Sequence, residues 1–193
     1  TREVRPAPDA DADGSPDDAD CAPDDPAVFP GAPDHCGDKL VTDCERTSDD
    51  GLVTVDGATS FTDLQQALDA AVAGSDILAC PGTYTGTFRA TVAVDLASLD
   101  GNAATTLDGN VAGTVLAVPA GSTVAGFTIT RGRSGSGAGG LVLSTAGTLT
   151  VTDCVITGNR GVNGGGIALA ANSAAVITTS TIEENVAEGY GGG

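Results

Sequence analysis

The chain has 193 residues, of which 3% are aromatic, with no Trp or Met, 28 Gly and a formal charge of −18. So few aromatics exclude a core built on large ring anchors. An acidic chain without a basic patch disfavours nucleic acid and anionic lipid as partners, leaving cations as the natural ligand. The acidity is uneven: residues 1–50 carry 15 acids and 4 bases, residues 51–193 carry 11 and 4. Five cysteines fit a secreted protein better than a reducing compartment.

The chain opens at Thr1, without Met and without a charged-then-apolar leader, so a signal peptide is expected to be already removed or to lie outside this stretch. Residues 1–50, dominated by Asp, Pro and Ala, form the first of two expected parts. Their composition buries too little apolar surface to fold alone, so an irregular segment is expected. Within it, Asp9-x-Asp11-x-Asp13-Gly14 is followed by Ser15, Asp17 and Asp20. That alternation is the spacing of an EF-hand-type calcium loop, with carboxylates at the first, third and fifth positions, Gly for the sharp turn, and a backbone carbonyl next. The expected ligands are therefore Asp9, Asp11, Asp13, Ser15 (through its carbonyl), Asp17 and Asp20, and the expected ion is calcium. Asp20 stands where a bidentate Glu is usual, which shortens the reach and weakens the site. No amphipathic helix flanks the loop, so a complete EF-hand is not expected; the competing reading is a solvated acidic linker.

Beyond the loop run Asp20-Cys21, then 24–33 (Asp-Asp-Pro-Ala-Val-Phe-Pro-Gly-Ala-Pro), Cys36, and Asp43-Cys44. This resembles a short metal-binding motif of secreted bacterial proteins grouped with copper-binding surface proteins, although 37–42 departs from that motif. The resemblance implies a metal role for the segment. His35, the single histidine, is expected to be a surface residue rather than a soft-metal ligand. Cys36 and Cys44 are close enough in sequence to pair, leaving Cys21 for Cys80 or for no partner; spacing does not decide the connectivity.

The second part, 51–193, starts with a strand at Leu52–Val55. Then Phe61, Leu64, Leu68, Ala71 and Val72 fall on one helical face, with Thr62 and Gln65 as a capping box and Gly74 as the stop. Short β-branched runs follow (92–96, 105–107, 115–118), punctuated by Asp100-Gly101-Asn102 and Asp108-Gly109-Asn110, which are turn chemistry before they are catalytic carboxylates. The last third repeats itself. Ile156 and Asn159 lead to Gly164-Gly165-Gly166, Ile182 and Asn185 lead to Gly191-Gly192-Gly193, and Ile129 with Gly139-Gly140 is a fainter copy, giving a unit of 26 to 27 residues. Such a period marks a solenoid, and the β-branched runs predict three short strands per unit rather than a leucine-rich repeat. The fold expected is all-β: a right-handed parallel β-helix of 26–27 residues per coil, capped at its N-terminal end by the helix. Ile129, Ile156 and Ile182 should form one internal column, and Asn159 and Asn185 an asparagine ladder rather than a ligand site. Cys80 and Cys154 should lie about three coils apart, too far to bridge, with Cys154 a buried free thiol stacked between Phe127 and Ser180.

The Ile-x-x-Asn and Gly-Gly-aliphatic pattern resembles the repeats of the polymorphic outer membrane proteins within the pectin-lyase-like superfamily, with Ile for Phe and with Gly132 in place of one Asn. The segment 61–84 is similar to the N-terminal cap and first coil of pectin-lyase-like proteins. These resemblances imply a secreted or outer-membrane, cell-surface location, a structural or adhesive role, and extracellular glycans or proteins as partners of a monomeric chain. They also imply an alternative, a polysaccharide lyase or glycoside hydrolase whose catalytic coils lie after Gly193, since the chain stops in mid-motif. Arg133 and Arg160 occupy equivalent places and could line one face with Asp153 or Glu183, but solvated turn arginines are the simpler expectation. The polygalacturonase signatures are absent from these residues, so no catalytic residue is assigned and an enzyme is not the favoured reading. No apolar run reaches the ~18–20 residues of a membrane span.

Overall fold

The computed structural model describes residues 7–32, 42, 44 and 53–190. From residue 75 onward the chain winds as a parallel β-solenoid of about four turns. Its first sheet stacks Ser75–Ala79, Val94–Ser98, Thr123–Ala125, Thr148–Thr152 and Ala174–Thr178. The second stacks Gly82–Thr85, Thr105–Asp108, Thr128–Thr130, Val155–Thr157 and Thr181–Glu183, and the third Phe88–Arg89, Leu116–Val118, Leu141–Leu143 and Ile167–Leu169. A fourth, short sheet of Arg133–Ser134, Arg160–Asn163 and Val186–Tyr190 appears only in the later coils, where three strands per unit were expected. The period is regular only there. Ile129 pairs with Ile156 and Ile156 with Ile182, but Ser75 pairs with Val94, 19 residues on, and Asp95 with Thr123, 28 on.

Because neighbouring coils pair in parallel and in register, like positions stack at about 4.8 Å and a β-branched repeat becomes a continuous apolar column. One column runs Tyr84, Leu107, Ile129, Ile156, Ile182, and Leu107, Ile129 and Ile156 are fully buried. A second runs Ile77, Leu96, Val124, Val151, Ile177. Alternation along each strand puts the intervening polar residues outside: in Val94–Ser98, Val94 and Leu96 are buried and Asp95 is exposed. In the last turn Leu169, Val176, Ile177 and Val186 are exposed. Phe127, Cys154 and Ser180 stack as expected, with the Cys154 amide donating to Ser180 Oγ at 3.0 Å. Cys154 is a buried free thiol, and burial pushes its thiol above the ordinary range, which keeps it protonated and unreactive.

The N-terminal end is closed by two devices. Val53–Val55 and Thr59–Phe61 form an antiparallel hairpin that continues the first sheet past Ser75–Ala79, covering an edge that would otherwise invite pairing. The helix Leu64–Ala70 then lies over the open end, burying Leu64, Ala67 and Leu68. It is shorter than the apolar stripe predicts, because Phe61 belongs to the hairpin and Val72 is exposed. The cap is shifted by one residue from the expected pair: Asp63, not Thr62, is the N-cap, and its carboxylate accepts the Gln66 N–H at 3.0 Å. Gln65 is thereby freed for another task. Its amide donates to the Arg89 carbonyl and accepts the Arg89 N–H, standing in for a β-strand neighbour.

The asparagines form the expected ladder. Asn159 Nδ2 donates to the Ile129 carbonyl (2.8 Å) and its Oδ1 accepts the Gly132 N–H (2.8 Å); Asn185 repeats both bonds one coil later, to the Ile156 carbonyl (2.7 Å) and from the Asn159 N–H (3.0 Å). Each side chain thus supplies the turn of the preceding coil with the pair of bonds its backbone lacks. Gly132 breaks the Asn pattern for a steric reason: a Cβ there would run into the Gly139 carbonyl. The glycine pairs of the repeat have the same origin, since a Cβ on Gly140 would meet the Gly166 carbonyl oxygen of the next coil.

Three substitutions check this packing. Gly140→Ala is expected to cost about 1–3 kcal/mol by overpacking, whereas Gly135→Ala, with nothing within 4 Å of its Cβ, should stay within about 0.5 kcal/mol, both read by denaturant unfolding. Asn159→Ala, at a side chain 1% exposed, should cost at least about 1–3 kcal/mol because it strands the buried Gly132 N–H; a neutral result would remove the ladder from the account.

Candidate metal centre

Residues 7–32 contain no helix or strand; the chain is held by short turns whose acceptors are mostly its own aspartates. Asp9 accepts the N–H groups of Ala12 (2.8 Å) and Gly14 (3.2 Å), which bends the backbone round the left-handed Gly14, φ +102°. Asp11 Oδ1 accepts the Asp13 N–H (3.3 Å), and Asp13 Oδ1 the Ser15 N–H (2.7 Å). Asp17 closes the loop on itself: its N–H donates to the Pro8 carbonyl and its Oδ1 accepts the Ala10 N–H. Asp20 donates its N–H to the Pro16 carbonyl and accepts the Ala22 N–H on Oδ1. The alternation Asp-x-Asp-x-Asp-Gly is therefore a device for turning the chain as well as a ligand pattern.

Asp9, Asp11 and Asp13 each bring one carboxylate oxygen within 4.8 Å of the others. In Asp11, Asp13 and Asp20 one oxygen is used by a turn while the other, Oδ2, is enclosed and receives no hydrogen bond. Enclosure raises the Asp11 carboxyl above its ordinary range; the charges of Asp13, Asp20 and Asp9 push the same way, and the Asp13 N–H opposes them. A carboxyl raised in the folded loop favours the protonated form. Without a counter-cation, folding of the loop is therefore disfavoured progressively as pH climbs through the carboxylate range, and a bound cation relieves that loss.

Of the six expected ligands, Asp9, Asp11 and Asp13 are brought together, whereas Asp20 is grouped with Cys21 and Cys44 rather than with them. Turn N–H groups also occupy Asp17 Oδ1 (from Ala10) and both oxygens of Asp9 (from Ala12 and Gly14). Oxygen donors of this number and charge suit a hard divalent cation.

Asp20 also lies beside Cys21 and Cys44, but these sulfurs are joined in a disulfide with Cα atoms 5.6 Å apart, so neither offers a thiolate. This corrects the Cys36–Cys44 pairing suggested by spacing: Cys44 pairs with Cys21. Cys80 is disulfide-bonded too; His35 and Cys36 lie outside the described residues.

On the solenoid surface several polar groups are committed to turns and ion pairs. Asp108 Oδ1 accepts the Asn110 N–H and its Oδ2 pairs with Arg131 at 2.7 Å. Asn102 donates to Asp153 Oδ1, two coils away. Arg133 and Arg160 do stand side by side, but Arg160 pairs with Glu188 at 2.9 Å rather than with Asp153 or Glu183. Both partners are half exposed, which makes that pair a weak contribution to stability. No helix among the described residues is long and apolar enough to cross a membrane. No family model, curated protein or solved structure matches the chain.

Proposed function

We propose that the chain is part of a secreted or cell-surface structural or adhesive protein, in which a calcium-type cation site at Asp9, Asp11, Asp13 and Asp20 precedes a β-solenoid. The observation that carries the cation reading is the set of enclosed oxygens Asp11 Oδ2, Asp13 Oδ2 and Asp20 Oδ2, which have no donor among their neighbours. Enclosed carboxylate oxygens without partners are costly, and a divalent cation is the partner that satisfies several at once. The sequence places these residues at the first-turn and closing positions of a calcium loop, so pattern and geometry point to one chemistry.

The surface reading is supported by the Cys21–Cys44 bridge and the bonded Cys80, which suit an oxidising compartment. A stack of coils offers long outer faces on which extracellular glycans or proteins dock. A right-handed winding of the pectin-lyase type fits the general handedness of parallel crossovers. Arg131, Asp108 and Asp153 are engaged in turns, so the proposal rests on the loop rather than on a catalytic face.

Calorimetric titration of the full chain with CaCl2 tests the site. One binding event in about the 10⁻⁴–10⁻³ M range typical of extracellular modules is expected. An Asp11→Asn, Asp13→Asn double variant should weaken it by more than the roughly 10- to 100-fold that loss of a supporting partner costs. No heat at millimolar calcium would remove the proposal.

A further inference from the structure

We infer that Asn163 is a self-modification site: its side-chain amide is lost through a cyclic imide formed with Gly164, and the isoaspartyl product loosens the contact between the later coils. The chain has six asparagines, and Asn163 is the only one followed by glycine. That neighbour matters because the attacking atom is the next backbone nitrogen, which a side chain on the following residue would crowd and stiffen.

The fold separates Asn163 from the other asparagine of its repeat unit. Asn159 is 1% exposed, with Nδ2 donating to the Ile129 and Thr157 carbonyls and Oδ1 accepting the Gly132 N–H. Its amide is locked. Asn163 instead stands exposed at the end of the strand Arg160–Asn163, where the register against Val186–Tyr190 shifts and the Asn163 N–H reaches the Gly137 carbonyl only at 3.4 Å. One bond, from Nδ2 to the Ser136 carbonyl at 3.0 Å, holds its side chain. Gly164 follows with φ +91°, and its N–H has no acceptor among the described residues. An exposed strand end of irregular register opens locally at low cost, which lets Asn163 turn its Cγ onto that nitrogen.

Hydroxide takes the Gly164 amide proton, the nitrogen bonds to Asn163 Cγ, and the Cγ–Nδ2 bond breaks, Nδ2 leaving as ammonia with a proton from water. One water then opens the imide. Cleavage of its Cγ–N bond gives aspartate; cleavage of the bond between the nitrogen and the main-chain carbonyl carbon gives isoaspartate, whose backbone is one methylene longer. No electrons are exchanged. The added methylene falls where the coils tolerate it least. The Gly139 and Gly140 N–H groups donate to the Gly165 carbonyl (3.0 and 3.2 Å) and the Leu141 N–H to the Gly166 carbonyl (2.8 Å), and even a Cβ on Gly165 would run into the Val186 nitrogen. Displacing 164–166 breaks these bonds between coils.

Peptide mass mapping of the full chain during incubation in mildly alkaline buffer tests the site. The peptide holding Asn163 should show amide-to-acid conversion before those holding the other asparagines, with isoaspartate in excess of aspartate. Hydroxylamine, which attacks the imide, should cleave the chain between Asn163 and Gly164, and Asn163→Gln, which would have to form a larger ring, should resist that cleavage. In the separated isoaspartyl form, hydrogen exchange at the Gly139, Gly140 and Leu141 amides should be faster than in the unaged chain. An Asn163 amide that outlasts that of the exposed Asn172, aspartate formed without isoaspartate, or equal cleavage of the Gln variant overturns the site; unchanged exchange at the three amides overturns its effect on the coils.

Discussion

Parallel, in-register hydrogen bonding between successive coils is the constraint from which the rest of the solenoid follows. It obliges residue types to recur at one lateral position, because each strand can hide its apolar side chains only beneath those of the coil before it. Ile129, Ile156 and Ile182 satisfy that demand in one sheet, as Val124, Val151 and Ile177 do in the next. The corners obey the same rule with different chemistry. Backbone groups that leave the sheet ladder at a turn need acceptors and donors at the same spacing, which Asn159 and Asn185 each supply to the coil before their own. Where two coils approach too closely for a Cβ, glycine recurs instead, and at Gly132 the steric demand overrides the asparagine pattern.

A stack of this kind is stable along its length and vulnerable at its ends. At the N-terminal end the antiparallel hairpin changes the pairing mode and so stops the parallel ladder, and the helix supplies Leu64 and Leu68 to the exposed interior. Gln65 completes the closure by imitating a strand against Arg89. The acidic residues preceding this cap follow another logic. There the chain is shaped by carboxylates that bond to nearby N–H groups, and the oxygens left over define the candidate cation site.

Much of this was legible in the residues, in proportion to how local each signal is. The isoleucine column and asparagine ladder were readable because one repeat unit contains the whole rule. In the early coils the strands were readable from the runs at 92–96, 105–107 and 115–118, but their pairing was not, since Ser75–Val94 and Asp95–Thr123 span 19 and 28 residues and share no motif with the later units. The fourth short sheet was missed because Arg133–Ser134 lacks β-branched residues and lies in a glycine-rich turn. The helix start was displaced by one because Thr62 and Asp63 are both good caps, and only the hairpin register at Phe61 decides between them. In the acidic segment, the grouping of Asp9, Asp11 and Asp13 was readable from alternation, whereas the Cys21–Cys44 bridge was not. Disulfide partners are chosen by the fold, and nearness in sequence favoured Cys36.

Registration of the coils is tested most directly by methyl NOE spectroscopy on a chain labelled at isoleucine δ-methyls. The Ile156 methyl should show strong cross-peaks to both Ile129 and Ile182, one rung of about 4.8 Å away on either side, with none between Ile129 and Ile182 at about twice that distance. An Ile156 methyl with no cross-peak to either neighbour would contradict the stacking of like positions on which the fold depends.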